Sequence, residues 1–224
     1  MKFRDVQSVS VGKPSRRGQD LPLGARLHRR YLDVNAQRDL AREIREIVAR
    51  APLYTPLMPR TGAPMSVRMT NCGGFGWFSD KEGGYRYVAR HPLTDEPWPP
   101  IPRVLLEVWA RLAGYPRPPE ACLINVYDAD ARMGLHQDRD EKDFSAPVVS
   151  LSLGADCRFR LGGVRRGGAT RSFVLSSGDA FVFGGPARLA FHGVDRILPT
   201  LASPLSADMF AGGARINLTL RRVT

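Results

Sequence analysis

From Ala121 to the C-terminus the chain is a succession of short apolar or alternating runs punctuated by glycine and aspartate. The candidate strands are Cys122–Tyr127, Val148–Leu153, Arg158–Leu161, Arg171–Leu175, Ala180–Phe183, Leu189–His192 and Arg215–Arg222. Strands this short and this frequent build a sandwich, jelly roll or barrel. At 224 residues the chain can bury such a core without staples. Its three cysteines, Cys72, Cys122 and Cys157, are far apart and form no Cys-x-x-Cys pair. That argues against a disulfide framework or a thiolate zinc site.

Two amphipathic segments precede most of the strands. Leu40, Ile44, Ile47 and Val48 recur at helical spacing within Asn35–Arg50, with Asp33 or Asn35 as cap. Leu105, Leu106, Trp109 and Leu112 do the same within Ile101–Ala113, which Gly114 ends. Both stripes are expected to support one sheet, and Ala25–Leu32 is expected to be a first strand. Thr61–Pro100 is rich in glycine, proline and aromatics, including Phe75, Trp77, Phe78, Tyr85, Tyr87 and Trp98. With little helical period there, a hairpin or loop layer is expected.

The formal charge of +11 favours a polyanionic partner, nucleic acid before an anionic membrane surface. The alternative is a solvated arginine-rich surface. Residues 1–22 read as a basic extension and 23–224 as a single domain. The first residues lack the apolar stretch of a signal peptide, and no apolar run approaches the about 18–20 residues that span a bilayer. The cytoplasm is the expected compartment, with no membrane association.

Chemistry concentrates in three places. His136 lies two residues before Asp138, and positions i and i+2 of an extended strand share a face. A His-x-Asp pair with a distant histidine is the sequence form of a facial triad, which holds Fe(II) and leaves positions open for O₂ and an organic acid. His192, between an apolar run and Gly193, is the candidate third ligand. Each of these signals is weak alone, since such residues commonly serve the surface or the core.

The last strand strengthens them. Ile216, Leu218 and Leu220 face one way, while Arg215, Asn217, Thr219 and Arg221 face the other. Buried guanidinium groups need carboxylate partners, and arginine captures carboxylates in bidentate fashion. An edge strand with its polar face in water is the plainer alternative. Asn125 and Tyr127 make a similar face just before His136. Together the two faces suit a dicarboxylate whose other end chelates iron.

These segments resemble the AlkB family of Fe(II)/2-oxoglutarate dioxygenases. The resemblance rests on Met-Thr-Asn-Cys-Gly from Met69, Ala-Cys-Leu-Ile-Asn-x-Tyr from Ala121, Leu-His-Gln-Asp-x-Asp-Glu from Leu135 and Arg-x-Asn-Leu-Thr-x-Arg from Arg215. It implies a mainly β fold with supporting helices, a double-stranded β-helix (jelly roll) carrying a nucleotide-recognition lid at about 60–100. His136, Asp138 and His192 would then be the catalytic iron ligands. Arg215 and Arg221 would take the carboxylates of 2-oxoglutarate, with Asn125, Tyr127 and Asn217 completing the pocket.

Trp77 and Tyr85 would contact a flipped base and its backbone, Asp140 would read its exocyclic amine, and Arg166 would line the base site. An extra glycine at Gly83–Gly84 lets Tyr87 share the role of Tyr85, and Phe183 stands where bacterial members carry tryptophan. An acidic group suits a cationic methylated base, aromatic or imidazole faces such as His136 sandwich it, and Arg160, Arg165, Arg166 and Arg171 would follow phosphates.

The implied reaction is oxidative demethylation of 1-methyladenine and 3-methylcytosine in single-stranded DNA, with RNA an open alternative. It consumes O₂ and 2-oxoglutarate and releases formaldehyde, succinate and CO₂. The expected partner is methylated nucleic acid, and the expected state is a monomer. An oxygenase acting mainly on RNA or protein, and a catalytically silent nucleic-acid-binding jelly roll, remain as alternatives.

Overall fold

The computed structural model describes residues 21–198 and 214–224. All but the last two residues of the expected basic extension, 1–22, lie outside the described residues. Helix α1 (Val34–Arg50) begins where the Asp33 carboxylate accepts the Ala36 N–H at 2.9 Å, which satisfies one orphan donor of the first turn. Helix α2 (Arg103–Leu112) starts later than the sequence pattern suggests, because Pro102 has the extended ψ of 138° and stands outside as the cap.

The strands are β1 (Ala25–His28), β2 (Arg68–Gly73), β3 (Gly76–Asp80), β4 (Gly84–Val88), β5 (Ala121–Tyr127), β6 (Met133–His136), β7 (Val148–Gly154), β8 (Cys157–Leu161), β9 (Arg171–Leu175), β10 (Ala180–Phe183), β11 (His192–Ile197) and β12 (Arg215–Arg221). A six-stranded sheet runs β1-β10-β7-β12-β5-β2, a four-stranded sheet runs β6-β11-β8-β9, and β3-β4 form a separate hairpin. Every pairing is antiparallel.

Period two decides which side each residue serves. Leu218 and Leu220 of β12, Leu151 of β7 and Val182 of β10 pack under Leu40 and Ile44 of α1 and Leu105 and Trp109 of α2. Alternate residues of the same strands point the other way. Phe181 and Phe183 of β10 and Tyr127 of β5 meet Phe159 and Leu161 of β8 and Phe173 of β9 between the two sheets. Strand β10 is therefore buried on both faces, and its unbroken apolar run follows. Truncating one such ring, for example Phe181→Ala, would cost about 3–5 kcal/mol.

Two sequence expectations need correction. The first strand ends at His28, because Arg30 takes a left-handed φ of 48° and turns the chain. The run Leu189–His192 is not a strand. A short helical turn at Gly185–Ala187 precedes it, residue 191 instead bonds to Gly162 and Gly163, and His192 opens strand β11 rather than closing one. The aromatic layer does contain a hairpin, β3–β4, but β2 and β6 were not visible as separate strands in the pattern.

Candidate active site

Between the two sheets and the hairpin lies a cleft of about 1270 Å³, whose lining includes Arg215 and Asn217, the trio His136, Asp138 and His192, and Trp77, Asp140 and Arg166. His136 at the end of β6 and His192 at the start of β11 are register partners, with ring centroids 4.5 Å apart. Gly193 makes this pairing possible. A Cβ there would stand 2.5 Å from the Met133 carbonyl oxygen, inside contact distance.

Both imidazoles are oriented in the same way. His136 Nδ1 lies 3.0 Å from the Gly134 carbonyl and His192 Nδ1 2.9 Å from that of Ala190. With each Nδ1–H donating to its carbonyl, both Nε2 lone pairs are left for a ligand. They lie 3.6 and 3.7 Å from the Asp138 carboxylate, and the ligating atoms of all three residues fall within 4.8 Å of one another. Burial, aided by His136, pushes the His192 pKa down to about 4, so the ring is neutral and able to ligate at neutral pH.

The Asp138 carboxylate is buried, with Oδ1 accepting from Arg221 Nη2 at 2.7 Å. Its Oδ2 has no hydrogen-bond partner among the described residues. Burial disfavours its charge, but Arg221, His192, His136 and Arg188 outweigh burial and hold the pKa well below the usual carboxylate range. A buried, ionised oxygen with no hydrogen-bond donor, beside two imidazole Nε2 atoms, fits a divalent metal.

The two arginines of β12 are not equivalent. Arg215, 1% exposed, donates to Ser152 Oγ at 2.8 Å and the Ala155 carbonyl at 3.3 Å, while its Nε has no partner. Among the described residues no carboxylate pairs with it. A buried guanidinium without a counter-ion fits an anionic ligand. Tyr127 and Asn125 border the same space. Burial, against the opposing charge of Arg215, keeps the Tyr127 phenol well above its ordinary pKa and hence a neutral donor. Among the described residues its hydroxyl makes only a long contact, to Met133 Sδ at 3.7 Å. Asn217 spends its amide hydrogens on Ser150 Oγ and the Leu151 carbonyl, and its oxygen accepts from Thr219. It therefore lines the pocket as a braced wall.

Arg221 lines the same cleft and, like Arg215, has a buried Nε without a hydrogen-bond partner, but it differs in its counter-ions. The protein already supplies its carboxylates: Asp138 at 2.7 Å and Glu141 at 3.0 Å. Glu141 also takes Arg188 at 2.9 Å. Tyr87 departs from the sequence reading, because its hydroxyl donates to Glu141 at 2.5 Å and accepts from Arg221 at 3.1 Å. It lies deeper along the hairpin than Tyr85, in this buried network, and is not among the residues lining the cleft.

At the outer end Trp77 Nε1 donates to Asp140 Oδ2 at 2.7 Å, and its ring stacks on Tyr85 with centroids 5.5 Å apart. Tyr85 is 48% exposed. Arg166 lies over the Phe191 ring at 5.0 Å. Phe183 packs 4.5 Å from the His192 ring. Arg160 points out of the sheet, opposite to Phe159 and Leu161, toward Asp195, so it does not border the cleft.

Sequence reasoning missed Arg188, Glu141 and Asn71. Arg188 gave no local signal. Glu141 stood inside a quoted motif without a role. Asn71, fully buried, accepts the Trp77 N–H at 3.0 Å and donates to the Trp77 carbonyl at 3.2 Å, fixing the indole's backbone. By contrast, buried His91 is fully used within the protein, against the Pro52 carbonyl and the Leu93 and Thr94 amides.

Comparison with known proteins agrees with this geometry. Residues 24–221 match the 2OG-Fe(II) oxygenase superfamily. The chain is 52% identical over 191 residues to the alpha-ketoglutarate-dependent dioxygenase AlkB homolog of Caulobacter vibrioides, covering 85% of this chain and 84% of that protein. It is 39% identical over 208 residues to the alpha-ketoglutarate-dependent dioxygenase AlkB of Escherichia coli, covering 91% and 92%. The solved structure of OsALKBH1 superposes with a TM-score of 0.73 at 31% identity, covering 91% of this chain and all of that one.

Proposed function

The chain belongs to the AlkB family of Fe(II)/2-oxoglutarate dioxygenases, and from that premise we propose that it demethylates N-alkylated bases such as 3-methylcytosine and 1-methyladenine in single-stranded DNA. The observation that carries this reading is one cleft that holds Arg215, without a carboxylate partner among the described residues, together with the triad and with Trp77 bonded to Asp140. The assignment of damaged nucleic acid as substrate rests on the sequence resemblance and on the +11 charge.

His136, Asp138 and His192 would hold Fe(II), and Arg215, with Tyr127 and Asn125, would hold the distal carboxylate of 2-oxoglutarate. When bound, iron and 2-oxoglutarate activate O₂, so that the N-methyl group is hydroxylated and lost as formaldehyde, leaving succinate and CO₂. Arg221 pins one oxygen of Asp138, which would leave the other to ligate the metal. Trp77 offers a ring face to the flipped base. Asp140 stands beside it with a negative charge, which favours a cationic lesion over the unmodified base. The apolar wall of Phe183 and Phe159 keeps water from the reacting end.

No helix among the described residues is long and apolar enough to cross a membrane, and we place the protein in the cytoplasm. We further take residues 23–224 as one domain that acts as a monomer, with β3–β4 as the recognition lid. RNA is the second reading, since phosphate contacts carry no information about the sugar. The test is an aerobic reaction with Fe(II), ascorbate, 2-oxoglutarate and an oligomer bearing 3-methylcytosine. Loss of one methyl mass with formaldehyde release, abolished in Asp138→Ala, supports the proposal. Succinate without methyl loss overturns the substrate assignment.

A further inference from the structure

We propose that Tyr87, Glu141 and Arg188 are positioning residues that lock the β3–β4 hairpin onto the loop carrying Asp138. The key is one rung of the hairpin. Trp77 and Tyr87 are direct cross-strand partners, and they grip consecutive carboxylates of that loop: Trp77 holds Asp140 at 2.7 Å and Tyr87 holds Glu141 at 2.5 Å. The two grips differ in depth. Asp140 is exposed and faces the cleft, whereas Glu141 is buried between Arg188 and Arg221.

Arg188 completes the anchor from the other side. It is buried and donates to the Asp138 carbonyl at 2.7 Å, the Ala146 carbonyl at 2.8 Å and Glu141 at 2.9 Å. Two arginines and two carboxylates thus neutralise one another, with Tyr87 as the contact from the hairpin. The seating of the hairpin therefore reaches the Asp138 carboxylate through Tyr87, Glu141 and Arg221. Trp77 remains the exchangeable grip, because Asp140 must also receive the lesion's exocyclic amine. Tyr87, Glu141 and Arg188 are not among the residues that line the cleft. The inference rests on the proposed function only for the identity of that lesion.

The test is Tyr87→Phe, which removes one hydroxyl and leaves both arginine pairs intact. Losing a buried hydrogen bond to a charged group corresponds to about a tenfold or greater rise in local opening. Amide hydrogen exchange in the free chain should therefore quicken about tenfold in 76–80 and 84–88, with the rest of the chain at wild-type rates. Tyr115→Phe, which loses a comparable bond to Asp143, should leave the hairpin unchanged.

With Mn(II) in place of iron, Tyr87→Phe should bind 2-oxoglutarate as wild type does and the 3-methylcytosine oligomer about tenfold more weakly. In turnover it should raise the ratio of succinate to formaldehyde. Wild-type exchange rates in the hairpin, or a uniform quickening of the whole chain, would overturn the proposal. If wild type itself leaves the methylated oligomer untouched, the substrate reading falls, and the exchange measurement still decides the latch.

Discussion

Replacing Arg215 with methionine should weaken 2-oxoglutarate binding strongly and leave the fold as stable as before or more so. The guanidinium is buried with no carboxylate partner among the described residues, and only Ser152 Oγ and the Ala155 carbonyl accept from it. Losing those two donors costs about 1 kcal/mol each. Against that, relieving an uncompensated buried charge returns several kcal/mol, as when apolar residues replace buried ions. The net change expected is between zero and about +2 kcal/mol, or up to roughly 4–8 °C in Tm at 2–4 °C per kcal/mol for this chain length.

Binding should move the other way. Two charge-assisted hydrogen bonds at about 1.5–3 kcal/mol each correspond to a rise in Kd of roughly 10²–10⁴-fold. The assay is titration of 2-oxoglutarate by calorimetry into Mn(II)-loaded protein without O₂, beside thermal denaturation of the free chain. Arg221→Met is the contrast. It strips buried Asp138 of its arginine and Glu141 of one of its two and should cost about 3–5 kcal/mol. A destabilised Arg215→Met that binds 2-oxoglutarate normally would refute the distinction drawn between the two arginines.

Gly193→Ala must push β11 from the Met133 carbonyl; it should lower stability by about 1–3 kcal/mol and weaken Mn(II) binding, read by denaturation and metal titration. For Glu141, burial favours the neutral acid but Arg221 outweighs it, so the folded pKa lies below the ordinary value. The unfolded chain then binds the extra proton, so this contribution to stability is whole above about pH 5 and fades as pH falls through the folded pKa. Tm against pH should drop on the acid side, less steeply in Glu141→Gln. Trp77→Ala removes the stacking face, worth about 1–3 kcal/mol per base; it should raise KM for the methylated oligomer about tenfold or more while 2-oxoglutarate Kd holds.

Much of this site was legible because period two is a strong signal. The alternation of β12 put Arg215, Asn217, Thr219 and Arg221 on the cleft side and Ile216, Leu218 and Leu220 under the helices. What failed had a common cause, since long-range partners leave no local trace. Nothing near Arg221 in sequence announces Asp138 and Glu141, and nothing near Arg188 announces the loop it braces. Tyr85 and Tyr87 share a face of β4, so spacing could not separate them. Depth along the hairpin does, leaving Tyr85 in solvent and bringing Tyr87 to Glu141. At His192 the apolar run before it mimicked a strand, whereas the strand follows it.

The most direct test of the central claim, that one cleft aligns 2-oxoglutarate, iron and a methylated base, is product stoichiometry in a single reaction. Succinate and formaldehyde should form in equal amounts from a single-stranded 3-methylcytosine oligomer, and succinate should form only slowly with the unmethylated oligomer. Succinate at the same rate with both oligomers, and no formaldehyde from either, would contradict it.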